Sequence, residues 1–328
     1  MSKMRILSGM RPSGKLHIGH LLGALSNWKR LQDEGHETYY MVADWHALTT
    51  EYEDSRTIKS STADMVLDWL AAGLDPEKSV IFVQSHVKEH AELYLLFSMM
   101  TPLGWLERVP TYKEALEEYE GRQISTHGFL GYPLLQAADI LIYKADAVPV
   151  GQDQLPHLEF TRELARRFQH LYSDVFHEPQ AMLTEAPLVR GIDGRKMSKR
   201  YGNAILLSDT EEETSKKVMQ MLTDPARKRK TDPGNPDICP VFDLQKIYGS
   251  PEWIERVDKE CRTAEIGCVE NKRALAESLN ERLRQFRALR SELASDPERV
   301  SAILADGAEK ARAIASATME QVRKAMLI

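Results

Sequence analysis

MRILSGMRPSGKLHIGHLLGALSNWKRL, residues 4–31, is the stretch on which the fold of this chain turns. Arg5, Ile6 and Leu7 predict a short buried strand that runs into Ser8-Gly9, where the chain is expected to turn sharply. Pro12 and Gly14 keep the next few residues out of the helical region. From Ile18 to Leu31 the apolar residues Ile18, Leu21, Leu22, Leu25, Trp28 and Leu31 recur at helical spacing, so His17 and His20 flank the first turn of a helix. Unpaired backbone N–H groups at a helix start attract anionic oxygens, and imidazoles beside them add donors to a phosphate. The stretch therefore reads as a nucleotide site. An ordinary cap at the helix start explains the same histidines, and a lone glycine-rich turn is a weak motif.

Working outward, residues 37–43 (ETYYMVA) and 79–84 (SVIFVQ) predict two more strands, separated by a helix over 58–74 that Gly73 ends. Asp44, Trp45 and His46 follow the second strand, at the end where open α/β sheets bind ligands. Strands alternating with helices at this spacing predict right-handed crossovers and a parallel sheet, so the fold class is α/β with a Rossmann-like sheet. Strand character stops between residues 90 and 130, which predicts a helical insertion. Residues 128–143 (GFLGYPLLQAADILIY) are nearly all apolar and contain one formal charge, Asp139. A buried carboxylate needs donors, and a salt bridge to Lys144 or Arg162 is one way to supply them. Ala147 to Val150 is a further short strand, and Gly151-Gln152-Asp153-Gln154 opens a helix over 157–172, another place suited to ribose or phosphate.

Gly194-Arg195-Lys196-Met197-Ser198-Lys199-Arg200 carries four cations in six residues within a glycine-rich loop. Such a run is either a solvated loop or a phosphate clamp. Beyond Ser208 the pattern is helical, over 211–222, 272–293 and 297–326, with a proline-rich interruption at 225–240. The expected division is an α/β catalytic domain, 1–207, and a helical domain, 208–328.

Composition bounds the rest. The 328 residues are 42% hydrophobic and 28% charged, which is ordinary for a globular protein. No apolar run approaches the roughly 20 residues that span a bilayer, and no signal-like leader opens the chain, so a cytoplasmic protein without membrane contact is expected. A net charge of −6 does not suggest a nucleic-acid binder, but charge is local, and the clusters at 195–200 and 227–230 (RKRK) are basic. The three cysteines, Cys239, Cys261 and Cys268, are too few and too crowded for a disulfide framework.

Pro12-Ser13-Gly14 with His17-Ile18-Gly19-His20, followed far downstream by Lys196-Met197-Ser198-Lys199, resembles the two signatures of class I aminoacyl-tRNA synthetases. Residues 43–47 (ADWHA), Tyr132-Pro133 with 137–140 (AADI), 148–154 (VPVGQDQ), 224–227 (DPAR) and 307–312 (GAEKAR) extend the likeness over the whole chain to bacterial tryptophanyl-tRNA synthetases. The resemblance implies ATP with Mg2+, L-tryptophan and tRNA(Trp) as partners, and a homodimer. It implies that His17, His20, Lys196 and Lys199 act on the phosphates, and that Arg11, Pro12, Ser13, Gly19, Gly151, Gln152, Asp153, Val189, Met197, Ser198 and Arg200 complete the ATP site. For the amino acid it implies Asp139 accepting the indole N–H in a pocket of His46, Tyr132, Gln136, Val148, Val150 and Gln154. Arg200 stands where relatives most often have serine, and Arg11 where many have glutamine. Tyrosine-specific relatives share the class signatures, so tyrosine is the close rival substrate. A regulatory paralogue that does not charge tRNA is the other alternative, opposed by the intact histidine and lysine motifs. Cys261 and Cys268, followed by Asn271, resemble a subset with an iron–sulfur cluster whose fourth cysteine stands at position 271. With asparagine there, no bound cluster is expected, although a three-cysteine cluster or a zinc site with a borrowed histidine remains an alternative to three reduced thiols.

Overall fold

The computed structural model describes residues 3–109, 125–183 and 188–328. One sheet of five parallel strands, β1 (Arg5–Met10), β2 (Glu37–Val42), β3 (Ser79–Val83), β4 (Ala147–Val150) and β5 (Gln180–Leu183), runs in the order β3-β2-β1-β4-β5. Helices cover both faces, and a strand in such a sheet must be apolar at both parities. In β2, Tyr39 and Met41 enter one core with Phe82, while Tyr40 and Val42 enter the other with Trp28 and Trp69. The order reverses between β1 and β4, so a crevice opens there at the carboxyl ends of the strands.

The first strand is longer than its sequence suggests. Ser8, Gly9 and Met10 stay in parallel register with Tyr40, Met41 and Val42, and a Cβ at Gly9 would lie 3.3 Å from the Met41 carbonyl. The glycine serves close strand packing, and the turn falls at 11–14, where Gly14 takes φ +83°. Helix α1 follows, with α-helical ends Ile18–His20 and Ser26–Asp33 around a π-helical turn Leu21–Leu25. Next come α2 (Asp44–Glu51), α3 (Ile58–Ala71), α4 (Glu89–Met100) and α5 (Leu103–Glu107). The rest of the expected insertion, 110–124, lies outside the described residues. The apolar segment 128–143 forms two helices, α6 (His127–Leu130) and α7 (Tyr132–Ile142), because Pro133 starts a helix better than it continues one. Helix α8 (Leu155–Leu171) then leads to the edge strand β5, which no apolar run announces in the sequence.

The helical segment contains α9 (Glu211–Gln220), α10 (Pro240–Tyr248), α11 (Pro251–Arg262), α12 (Cys268–Ala294) and α13 (Pro297–Met326). Helices α10 and α11 went unread from sequence, since both begin on a proline that looks like a breaker but occupies the first turn. Composition changes near residue 207, but packing does not. Leu244, Leu275 and Leu279 join the core beneath α1 and α3, whereas Ala308, Ala311 and Met319 of α13 join the core on the opposite sheet face. Helix α13 lies so close to β3 that a Cβ on Gly307 would stand 1.9 Å from the Ile81 carbonyl oxygen.

Candidate active site

The crevice between β1 and β4 opens into a cavity of about 530 Å³. Leu7, Ser8 and Gly9 form one wall and Val148, Pro149, Val150 and Gly151 another. All seven residues expected to hold the amino acid, His46, Tyr132, Gln136, Asp139, Val148, Val150 and Gln154, line it, as do Arg11 and Gly151 from the expected nucleotide set. Phe129, Met41, Ala43, Thr49, Thr50 and Ile140 complete the wall without having been singled out from sequence.

Asp139 is 2% exposed, and its partners differ from those expected. Lys144 bonds Gln321 instead, and Arg162 bonds the Pro179 carbonyl and Glu159. Three side chains converge on the carboxylate. His46 Nε2 lies 2.8 Å from Oδ2, His90 Nδ1 lies 2.6 Å from Oδ1, and the Gln84 amide bridges both oxygens at 2.8 and 2.9 Å. Burial works to raise the carboxyl, but the hydrogen bonds and electrostatic influence of His46 and His90 outweigh it and hold the group below the usual carboxylate range. The amide of Gln84 cannot be turned the other way, because its Oε1 accepts the Trp45 N–H at 3.2 Å. His90, fully buried, contacts the Tyr143 hydroxyl at 2.7 Å through its other nitrogen. A carboxylate has about four lone-pair positions, so three donors leave it nearly filled without a ligand. The expectation that the amino acid supplies a missing donor is corrected accordingly. Gln84 and His90 were missed from sequence; Gln84 had a signal, the same strand-end position that singled out Asp44 to His46.

The histidine motif is built differently. His17 caps α1, its Nδ1 accepting the Gly19 N–H at 3.1 Å, while His20 Nδ1 accepts the His17 N–H at 3.2 Å. With both Nδ1 atoms used as acceptors, each neutral ring carries its proton on Nε2. Burial, reinforced by the Lys199 charge, lowers His17 to about 4, and burial with the charges of His17 and Lys199 lowers His20 to about 3. At neutral pH both are therefore N–H donors and not cations. Gly19 is required by this packing, since a Cβ there would lie 3.0 Å from the His17 ring, and Val189 is buried just beyond.

The basic loop is tied to the same turn. Lys199 Nζ donates to the carbonyls of Ser13 at 3.2 Å and Gly14 at 2.9 Å, and burial lowers its pKa to about 8. Ile18 N–H donates to Ile205 O, and Leu207 N–H to Leu16 O, stitching the far end of the loop beside the histidines. Within the loop, buried Asn203 accepts the Ser198 N–H at 2.8 Å and donates to Asp193 at 2.7 Å. Met197 is buried and its N–H donates to Val189 O, while Lys196 projects into solvent and Arg200 sits in the 3-10 turn Lys199–Tyr201. Pro12 is buried behind the exposed Ser13. Gln152 and Asp153 lie exposed on the 3-10 turn before α8, where Gln154 donates to Asp153 at 2.8 Å. The structure thus brings the turn, His17, His20, Val189 and Lys199 together. It leaves Lys196 and the Gln152-Asp153 pair without a bond to that group among the described residues.

The three cysteines and Asn271 line one small cleft with Arg227. The Arg227 guanidinium donates toward Cys261 and Cys268 at 3.8 and 3.7 Å, and Asn271 Oδ1 accepts from Gln245 at 2.9 Å. A cation directed at two of the sulfurs and a committed amide at the fourth position do not fit a cluster ligand set.

Comparison with known proteins adds three findings. A family model described as tRNA synthetases class I (W and Y) matches residues 1–284. The tryptophan–tRNA ligase of Thermotoga maritima is 55% identical over 324 residues, spanning 98% of this chain and 99% of its own, and that of Aquifex aeolicus is 46% identical over 98% of this chain and 99% of its own. Among solved structures, the tryptophanyl-tRNA synthetase of Campylobacter jejuni complexed with ADP and tryptophan matches at a TM-score of 0.91 and 33% identity, covering 99% of this chain and all of that one.

Proposed function

The chain belongs to the class I tRNA synthetases of the W and Y family, and we propose on that premise that it attaches L-tryptophan to tRNA(Trp) through a tryptophanyl-adenylate. The tryptophan carboxylate attacks the α-phosphorus of ATP, and the bond from that phosphorus to pyrophosphate breaks. The terminal ribose hydroxyl of the tRNA then attacks the activated carbonyl carbon, releasing AMP and a proton. The observation that carries this reading is the single cavity in which a buried, ionised Asp139 faces an apolar wall beside a mouth lined by Arg11 and Gly151.

In this reading the indole ring lies against Val148, Val150 and Tyr132, and its N–H, which can only donate, bonds Asp139 as the forked Gln84 contact narrows to one oxygen. The phosphates lie over the start of α1, where Nε2–H of His17 and His20 and the ammonium of Lys199 point at growing negative charge. Lys196, free in solvent, comes down on the phosphates when the loop closes, so its contact is strongest in the transition state. Magnesium enters as part of the nucleotide substrate, carried by the phosphates. Residues 208–328 read the anticodon, with the basic run 227–230 on the tRNA, and two copies of the chain pair to present acceptor arm and anticodon to different subunits. Charging takes place in the cytoplasm, and among the described residues no helix is long and apolar enough to cross a membrane. The cysteine cleft holds no cluster, so iron and sulfide analysis of anaerobically purified protein should find neither in stoichiometric amount.

Amino-acid-dependent ATP–pyrophosphate exchange across all twenty amino acids tests the reading. Tryptophan should drive exchange far above the rest, because a buried acceptor penalises side chains that lack the N–H. Exchange driven best by tyrosine, or by none of the twenty, overturns it.

A further inference from the structure

A second cavity, of about 400 Å³, adjoins the one around Asp139, and Thr49 lines both. The segment that carries α2 serves the two at once. His46, Thr49 and Thr50 line the first cavity, while Trp45, Leu48, Thr49 and Tyr52, spaced as one helical face, line the second. The start of α6 divides them from the other side, with Phe129 on the first cavity and Thr126 and Gly128 on the second. Tyr94 of α4 and Leu135 of α7 complete the second. Leu48 is 36% and Tyr52 43% exposed, so this cavity is open to solvent. Exposed Lys88 holds its Nζ 5.4 Å from the centre of the Trp45 ring. The threonine hydroxyls are already bonded within the chain: Thr49 Oγ1 donates to the His46 carbonyl at 2.8 Å, and Thr126 Oγ1 accepts the Phe129 N–H at 3.1 Å.

Resting on the charging reaction set out above, we propose that this aromatic cavity docks the terminal nucleobase of the tRNA, which stacks on Trp45, Tyr52 and Tyr94 while its ribose reaches into the cavity around Asp139. In the second step of that reaction a hydroxyl of the terminal ribose attacks the activated carbonyl. The base hangs from the same ribose by one bond, so whatever holds it must adjoin the site of attack, and the two cavities meet at Thr49. The 3′ end of a tRNA is single-stranded, and unpaired bases are held by aromatic faces, with cations beside them for the backbone. Trp45, Tyr52 and Tyr94 with the Lys88 ammonium supply that chemistry. With the border hydroxyls bonded, the cavity offers ring faces more than a pattern of donors and acceptors. Stacking of this kind registers that a base is present and not which base it is, which suffices for an end that all tRNAs share.

The test measures single-turnover transfer of tryptophan from enzyme-bound adenylate to tRNA(Trp), using natural tRNA and tRNA whose terminal nucleotide is an abasic ribose. Tyr52→Ala and Trp45→Leu are compared with Tyr52→Phe and Trp45→Phe, and each is also assayed in tRNA-free pyrophosphate exchange. Exchange should stay within about twofold of wild type for all four. Tyr52→Ala and Trp45→Leu should each slow transfer to natural tRNA about tenfold, the scale of one lost base–aromatic stack, and the phenylalanine variants should keep most of the rate. Removing the base should slow the wild type by a similar factor, and Tyr52→Ala should then cost nothing further, because side chain and base act as one unit. Losses that multiply on the abasic tRNA, unchanged transfer by Tyr52→Ala, or exchange falling in step with transfer would each overturn the proposal. Sedimentation of Tyr52→Ala as a smaller species than wild type would assign the cavity to a second copy of the chain and overturn it too. Wild type that shows no tryptophan-dependent exchange would remove the underlying reading and the proposal with it, an outcome distinct from all of these.

Discussion

The two parts of the candidate site, the cavity around Asp139 and the helix start beside it, are built on opposite plans. Around Asp139 the donors His46, His90 and Gln84 are bonded before any ligand arrives, and His90 and Gln84 are wholly buried. Around the helix start, the Nε2–H groups of His17 and His20 make no hydrogen bond among the described residues, and Lys196 stands in solvent. Rigid, filled hydrogen bonding suits discrimination between amino acids, since a wrong side chain must break bonds to enter. Unspent donors suit a phosphate whose charge grows only during the reaction. On the proposed reading, the tryptophan half therefore governs binding, and the nucleotide half governs rate.

The largest expected effect lies on the rate side. Lys199→Ala removes the cation that rests on the carbonyls of Ser13 and Gly14, and kcat for adenylate formation should fall by about 10²-fold or more, the range for losing one preorganised electrostatic group. The KM for tryptophan should stay near wild type. Single-turnover pyrophosphate release checks both, and a loss confined to tryptophan binding would erase the division between the halves.

Next in size is Asp139→Ala. It removes the proposed acceptor for the indole and strands three buried donors, so the KM for tryptophan should rise by the equivalent of roughly 1.5–3 kcal/mol, with a lower melting temperature. ATP kinetics measured at saturating tryptophan should change little. Equal damage to both substrates would mean that the carboxylate supports the whole sheet edge and does not serve one ligand.

The same contrast explains what could be read without coordinates. Strand and helix alternation up to β4 followed from apolar periodicity, and the motif residues followed from local spacing and family likeness. What escaped were relations decided by distant partners. Gln84 and His90 stand 55 and 49 residues from Asp139, and nothing local marks them as its donors. Asp68 and Arg290, an ion pair between α3 and α12, are 222 residues apart. Strand β5 lies at the sheet edge, with only intermediate and exposed residues, so it lacks the apolar run that reveals buried strands. Pro240 and Pro251 carry the same letter whether they end a helix or begin one.

Gly19→Ala should have a smaller effect, because it perturbs the nucleotide half without deleting a functional group. The new methyl would meet the His17 ring at 3.0 Å, so the ring must shift and its bond from the Gly19 N–H must lengthen. A strain of about 1 kcal/mol is expected, which corresponds to roughly fivefold in kcat/KM for ATP. Isothermal titration with tryptophan alone should be unaffected; a weakened tryptophan affinity would show that the halves are coupled through the first helix.

The smallest effect is a pH profile, and it tests the charge states on which the contrast depends. Lys199, lowered by burial to about 8, is about nine-tenths protonated at pH 7 and about one-tenth at pH 9. The ATP-dependent kcat/KM should therefore show an alkaline limb near pH 8, and Lys199→Arg should move that limb upward while keeping a cation in place. His17 and His20, lowered to about 4 and 3, contribute no acid limb near 6.5, because they already act as neutral donors. Their signature is in stability. The unfolded chain takes up two protons as pH falls through about 6.5 while the folded histidines resist until about 4, so stability present above pH 6.5 declines across that window. Denaturant midpoints measured from pH 7.5 to 4.5, with and without His17→Gln, isolate the contribution of one ring. An acid limb in kcat/KM centred near 6.5 and removed by His17→Gln would mean that the histidine works as a cation, and the nucleotide half would then carry fixed positive charge where its hydrogen bonding indicates neutral donors.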